Sequence, residues 1–337
     1  MAMRFESLSE GQRAAHLAEV AARAAPLWGV SSAARVTLLN ISENATYRID
    51  EPGLSAPLIL RVHRTGYHSI DAIRSELAWM KALKDEAGVE TPQALPALDG
   101  ELIHSIASPA FDEQRQVVMF AFIEGQEPRA DSLIEPFTRL GAIAARMRGH
   151  ARGWSRPEYF ERLVWDFEGA VGKRGNWGDW RDGLGLDAAA IDVLEQMVDK
   201  LGQRLEAFGM DDTRFGLIHA DLRLANLLVT ADDTRVIDFD DAGLGWYLYD
   251  VATAVSFMEE REDLDTLIAA WVAGYRSVAP LSRREEREIP TFLMLRRMAI
   301  LAWIGSHAET DLARELGLPY TAGTLRLAQR YLDQFPA

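Results

Sequence analysis

The stretch FGLIHADLRLANLLVTADDTRVIDFDDA, Phe215–Ala242, decides how this chain is read. Its apolar runs give three short strands, Phe215–Ile218, Asn226–Val229 and Arg235–Asp238. The polar turn Thr230–Thr234 joins the last two as a hairpin. With Val229 opposite Arg235, Leu228 faces Val236, Leu227 faces Ile237, and Asn226 falls across from Asp238 at the open end. The loop Ala220–Ala225 carries Asp221 to that same end, so two carboxylates and a carboxamide converge. All are hard oxygen donors, the set that Mg²⁺ prefers when phosphates complete its shell. Asp238 lies between Val-Ile and Phe239, which predicts a carboxylate sunk at the sheet edge, where a metal would partner it.

The spacing H-x-D-x-x-x-x-N, met by His219, Asp221 and Asn226, is that of a phosphoryl-transfer loop. In that template the Asp takes the proton of an attacking hydroxyl, the Asn holds a metal, and a later Asp, here Asp238, holds metal against the phosphates. The plainer alternative is that Asp221 and Asn226 cap a turn, and that Asp238, Asp240 and Asp241 form a solvated acidic hairpin end.

HADLRLANLLV followed by VIDFDDAGLGWYLYD resembles the phosphotransferase superfamily of aminoglycoside phosphotransferases, choline kinases and type II homoserine kinases, built on the protein-kinase-like fold. IDFDDAG with the later YDVA is most similar to its homoserine-kinase and stress-response-kinase branch. The resemblance implies an α+β chain with a five-stranded antiparallel N-lobe sheet and a mainly helical C-lobe, using ATP and Mg²⁺. It implies that His219 braces the loop and that Asp250 is structural.

Composition agrees with a two-lobed globular chain, with a nucleotide-binding lobe over 1–124 and a helical lobe over 125–337. Hydrophobic residues make up 48% of the 337, but no run near eighteen residues is free of charge, so no membrane span is expected. The start, MAMRFESLSEGQ, shows no secretory signal, and zero cysteines fit a reducing cytoplasm. A formal charge of −15 argues against nucleic acid or anionic membrane as partner and is compatible with a cationic small molecule.

Ser9–Trp28 has the spacing of an amphipathic helix, and strands are expected at Arg35–Ile41, Thr46–Asp50 and Leu58–His63. The turn Ser42-Glu43-Asn44-Ala45 stands where backbone amides would cover nucleotide phosphates; it has no glycine and reads equally as an ordinary hairpin turn. Arg61 occupies the strand position of the phosphate-binding lysine. After Ser69, the helix IDAIRSELAWMKAL buries Ile73, Leu77, Met80 and Leu83 and puts Glu76 about 60° off that stripe, able to pair with Arg61. Strands at Glu101–Ile106 and Arg115–Ile123 complete the sheet, and the segment Met119 to Ile123 is where an adenine would meet the backbone. Helical spacing returns over Leu133–His150. Ala151–Leu186 then holds Trp154, Trp165, Trp177 and Trp180 of the chain's nine tryptophans, a packed insertion in preference to a mobile cover.

Asp187 is expected to cap a helix reaching Phe208, and Asp250 to cap DVATAVSFM while tying the loop before it. Helices over Leu264–Val278, Ile289–Ile304 and Ala322–Phe335 end the chain, with Arg296 and Arg297 read as surface charges on a helix flank in preference to side chains that reach toward the active site to hold an acidic group. Only a few residues, Gly243–Asp250, stand where a protein kinase has its long activation segment, which favours a small acceptor. The expected function is ATP- and Mg²⁺-dependent transfer of the γ-phosphate to a hydroxyl of a small metabolite, homoserine-like or an amino alcohol. The alternatives are an aminoglycoside O-phosphotransferase, a stress-response-type Ser/Thr protein kinase and an inactive nucleotide-binding module.

Overall fold

A computed structural model describes residues 5, 8–41, 44–108, 111, 113–129, 132–230, 233–308 and 310–336. They fall into two compact units, one drawn from 1–84, 90–125 and 156–161, the other from 85–89, 126–155 and 162–337.

The first unit opens with α1 (Glu10–Ala24), whose start is fixed by a reciprocal capping box between Ser9 and Gln12. Strands β1 (Arg35–Ile41), β2 (Ala45–Asp50), β3 (Leu58–Val62), β4 (Ile103–Ala107) and β5 (Gln114–Ala121) form an antiparallel sheet in the order β1-β2-β3-β5-β4. Leu17, Val20 and Ala24 of α1 bury one face of that sheet together with Tyr47, Ile49, Leu60, Val62, Val117 and Met119. Helix α2 (Ile70–Ala87) follows β3 and buries Ile73, Leu77, Met80 and Leu83, the stripe its sequence predicts.

The second unit is mainly helical. Its helices are α3 (Ile134–Gly153), α4 (Phe167–Val171), α5 (Ala188–Phe208), α6 (Tyr249–Ala254), α7 (Leu264–Arg276), α8 (Arg283–Glu286), α9 (Ile289–Ser306) and α10 (Asp311–Gln334). Helices α3 and α7 approach at reciprocal glycines. A Cβ on Gly141 would lie 1.9 Å from the Trp271 carbonyl oxygen, and one on Gly274 would lie 1.8 Å from that of Thr138. Strands β6 (Leu163–Trp165), β7 (Phe215–Ile218) and β10 (Gly243–Trp246) form a small sheet in the order β6-β10-β7, and β8 (Leu227–Val229) pairs with β9 (Thr234–Val236). Asp187 caps α5 by accepting the Ala190 N–H at 2.8 Å. Trp165 and Trp180 are fully buried, so these two tryptophans of the insertion are core.

Helix α9 is long and apolar enough by composition to cross a membrane, with a mean hydropathy of 1.2, yet 72% of it is buried within the unit. It carries the largest departure from the sequence reading. Arg296 and Arg297 are each only 3% exposed, not surface charges, and both are ion-paired.

Candidate active site

The chain leaves β7 through a tight turn at Ala220, whose φ of 64° is left-handed. A residue with a Cβ takes that conformation at a cost of about 1–3 kcal/mol, so the surroundings must hold it. Asp250 does so from one side, accepting the His219 N–H at 3.3 Å and the Ala220 N–H at 2.9 Å. This corrects the expected cap. Helix α6 starts after Leu248 with no side-chain cap, and Asp250 in its first turn serves the neighbouring loop. Burial pushes the Asp250 carboxyl up to about 7, against those two N–H groups. From the other side Arg296 Nη1 donates to the Ala220 carbonyl at 3.2 Å.

His219 is fully buried, with Nε2 3.1 Å from the Ile237 carbonyl and Nδ1 3.3 Å from the Asp221 N–H. Nε2 therefore carries the proton and Nδ1 accepts, the pattern of a neutral ring. Burial lowers its pKa to about 4. Both nitrogens are used in bracing, and the ring packs 4.5 Å from that of Phe239.

Asp221 is the most heavily bonded side chain of the loop. Its Oδ1 accepts from Arg296 Nη2 at 2.6 Å, and its Oδ2 accepts from Arg223 Nε at 3.0 Å and Asn226 Nδ2 at 2.8 Å. Burial alone would raise its pKa, but the two arginines outweigh that and hold the carboxyl below the usual carboxylate value. Asn226 Nδ2 also donates to the Asp221 carbonyl at 2.9 Å. The amide nitrogen is thus spent on Asp221, which turns the carbonyl oxygen Oδ1, a hard donor, toward other partners.

The hairpin register differs from the expected one by a residue. Leu227 pairs with Val236, Leu228 with Arg235 and Val229 with Thr234, and the Ile237 N–H donates to the Asn226 carbonyl at 3.0 Å. Asn226 therefore lies opposite Ile237, with Asp238 next in the chain. Asp238 is exposed, not sunk at the sheet edge as expected, and its φ of 62° marks a second left-handed turn. The reason is that Ile237 is held by Asn226 and His219 while Phe239 is fully buried, which sends the intervening side chain outward. The buried member of the acidic run is Asp240, at 5% exposure. Arg162 braces this segment through the carbonyls of Phe239 (3.1 Å), Asp240 and Ala242 (2.5 Å). Among the described residues no three His, Cys, Asp or Glu side chains cluster as a ready-made metal site.

In the first unit Arg61 Nη2 donates to Glu76 Oε1 at 2.7 Å, with the arginine side chain 9% exposed and the glutamate fully buried. Phe120 lies 5.1 Å under the guanidinium. Asn44 Oδ1 accepts the Arg64 N–H at 2.9 Å, so its side chain braces the turn; Ser42 lies outside the described residues. Met119 begins the segment expected to meet an adenine through its backbone. Its side chain is in the core against α1, and its carbonyl accepts the Leu95 N–H at 2.8 Å. Ile123, half-buried, lies just past the end of β5.

Sequence reasoning missed Arg162 and Arg223, and it set aside the reading in which Arg296 reaches an acidic group of the site, the reading that the contact with Asp221 bears out. The signal for Arg296 was available: an arginine inside an apolar helix is costly to bury unless paired, so a partner had to exist.

Among the described residues Asp221 has three donors, and a carboxylate that accepts about four hydrogen bonds has a further place, here on Oδ1. An ionised carboxylate beside the Asn226 amide oxygen, a hard donor that could join a divalent cation, suits phosphoryl transfer to an alcohol. Comparison with known proteins carries this to a family. Residues 36–286 match the phosphotransferase enzyme family, and the chain belongs to it, as an enzyme of the kinase class on the protein-kinase-like fold.

Among solved structures it is similar to a microcompartment-associated aminopropanol kinase, with a TM-score of 0.87 and 42% identity covering 94% of this chain and 98% of that one. Among curated proteins, amicoumacin kinase of Bacillus subtilis is 25% identical over 85% of this chain and 84% of its own length. A homoserine kinase of Hyphomonas neptunium is 28% identical over 61% of this chain and 62% of its own.

Proposed function

We propose that this enzyme is an ATP- and Mg²⁺-dependent kinase of a small amino alcohol of the aminopropanol class. The observation that carries the chemistry is the remaining acceptor position on Asp221 Oδ1, on a carboxylate that Arg296, Arg223 and Asn226 keep ionised and oriented. The 42% identity over nearly the whole of an aminopropanol kinase supports the substrate class, and a chain charge of −15 suits a cationic amine.

The substrate hydroxyl donates to Asp221 while its oxygen attacks the γ-phosphorus of ATP. The bond from that phosphorus to the β,γ-bridging oxygen breaks, ADP departs, and Asp221 takes the hydroxyl proton. Asn226 and Asp238 would hold Mg²⁺, which when bound offsets the charge of the phosphates. Arg61, aimed by Glu76, would grip the α- and β-phosphates, the backbone amide of Asn44 would cover them and Ile123 would lie beside the base. His219 holds the loop and moves no proton, because both ring nitrogens are already bonded within it. The cysteine-free composition fits a cytoplasmic enzyme.

Turnover of ATP with aminopropanol, homoserine, choline, amino sugars and a protein acceptor tests the assignment. Aminopropanol should give the highest kcat/KM. A preference for homoserine, the substrate of the next set of relatives, would move the enzyme to that activity. Transfer to protein or to an amino sugar would overturn the small amino-alcohol reading altogether.

A further inference from the structure

We infer that Arg296 is a positioning residue of the transfer reaction: its guanidinium fixes the Asp221 carboxylate and the strained Ala220 turn as one unit, so that a hydroxyl can reach only one place on Oδ1. The inference rests on Asp221 as the residue that receives the hydroxyl.

Every nitrogen of Arg296 is engaged. Nη2 reaches Asp221 Oδ1 at 2.6 Å, Nη1 the Ala220 carbonyl at 3.2 Å, and Nε the Ser256 hydroxyl at 3.2 Å. Two consecutive residues of the loop are thus gripped by one planar fork, which a lysine ammonium cannot reproduce. Because Arg296 takes one lone pair of Oδ1, an incoming hydroxyl must approach beside it, and the direction of approach is set by the arginine. The aromatic rings of Trp177 and Tyr249 lie 4.8 and 5.9 Å from the guanidinium carbon. They shield it from water and stabilise its charge. The tryptophan-rich insertion thereby gains a part in the site through Trp177.

Arg297, the next residue on α9, provides the contrast. It is equally buried, but its partners are Glu259 Oε2 at 2.8 Å, Thr324 Oγ1 at 3.0 Å and the Tyr320 carbonyl at 3.1 Å, none of them in the loop. Taking a guanidinium out of water costs several kcal/mol, and an apolar residue of similar volume is often tolerated as well or better at such a position. Packing alone therefore does not call for arginine at 296; the carboxylate and carbonyl it grips do.

The test measures kcat and KM for the best acceptor of the panel, nucleotide affinity by calorimetry, and melting temperature for Arg296→Met, Arg296→Lys, Asp221→Asn and Arg296→Met/Asp221→Asn. Arg296→Met should lose roughly 100-fold in kcat per folded molecule, with nucleotide Kd changed by less than about threefold. Arg296→Lys, which keeps the charge without the fork, should recover part of that loss. In the Asp221→Asn background the methionine should cost little more, because the group it positioned is already disabled. Should Arg296→Met not fold, Arg296→Lys decides: a wild-type kcat per folded molecule contradicts the inference. Full additivity of Arg296→Met with Asp221→Asn, or a loss confined to melting temperature as expected for Arg297→Met, overturns it as well. A wild-type rate in Asp221→Asn alone would instead overturn the role given to Asp221.

Discussion

Two buried arginine–carboxylate pairs, one in each unit, look alike and differ in what they serve. Arg61 meets Glu76 at 2.7 Å across 15 residues of sequence, and Arg296 meets Asp221 at 2.6 Å across 75. The first joins a strand to the amphipathic helix that follows it, so local spacing sufficed to suggest it. The second joins a loop to a helix that buries residues on every side, from Ile289 through Ile304. Such a helix has no polar face from which an arginine could be seen to depart, and its partner lies far away in sequence. The pair proposed to aim a phosphate grip is legible from spacing; for the pair proposed to aim the proton acceptor, the sequence offers only an arginine inside an apolar helix.

Apart from the loss of Asp221 itself, the largest effect is expected outside both pairs. Asp238 is exposed and its proposed role is to hold Mg²⁺, so Asp238→Asn should lower turnover by roughly a thousandfold while melting temperature stays near that of the parent. Turnover that persists undiminished across a titration to low Mg²⁺ would remove the metal role from this residue.

The first pair should show a smaller, coupled loss. Arg61→Ala and Glu76→Ala are each expected to weaken nucleotide use by roughly 10- to 100-fold, and the double variant should cost much less than the product of the two. Arg61→Lys should retain part of the activity. Independent, multiplying losses would show that the contact at 2.7 Å is not a functional unit.

The smallest effect separates bracing from chemistry. His219 titrates near 4 in the folded protein, below its ordinary 6.5, because burial disfavours its charge. Its neutral form thus contributes stability that is complete above pH 6.5 and is lost as pH falls toward 4, on the order of 3 kcal/mol. Asp250, raised to about 7, contributes in the opposite sense: its share is complete below its ordinary 3.8 and is lost as pH rises through 7. In denaturant titrations the stability deficit of His219→Gln relative to wild type should therefore narrow as pH drops from 6.5 to 4. A deficit independent of pH would mean that the histidine is not held neutral.

Strand and helix placement in the first unit was legible because alternation and helical spacing each mark a buried face. The second unit was less so, for specific reasons. In LLV and RVI both faces are apolar enough to accept a one-residue slip, so the pattern leaves register to the turn. That turn closes at Thr230 and Asp233, with the Thr230 N–H on the Asp233 carbonyl at 2.9 Å and the Asp233 N–H on the Thr230 hydroxyl at 3.1 Å. Thr234 is drawn into the strand as a result. Strand β10, GLGW, hid behind its glycines. They are there because a Cβ at Gly243 would lie 2.4 Å from the Leu163 carbonyl oxygen and one at Gly245 2.5 Å from Ile218 Cδ1. Helix α10 begins eleven residues before the expected Ala322 and contains Pro319, which ordinarily argues for a break. Within the site, spacing found His219, Asp221, Asn226 and Asp238, but that Arg223 and Arg296 converge on Asp221 is visible only in three dimensions.

Asp221, held ionised by Arg296 and Arg223, is proposed to receive the hydroxyl proton without itself holding the nucleotide. Single-turnover transfer from ATP to aminopropanol by Asp221→Asn, with nucleotide affinity measured in parallel, addresses it directly. The rate should fall by roughly a hundredfold to ten-thousandfold with nucleotide affinity close to that of the parent. A rate that is unchanged, or a loss explained entirely by failure to bind nucleotide, would contradict it.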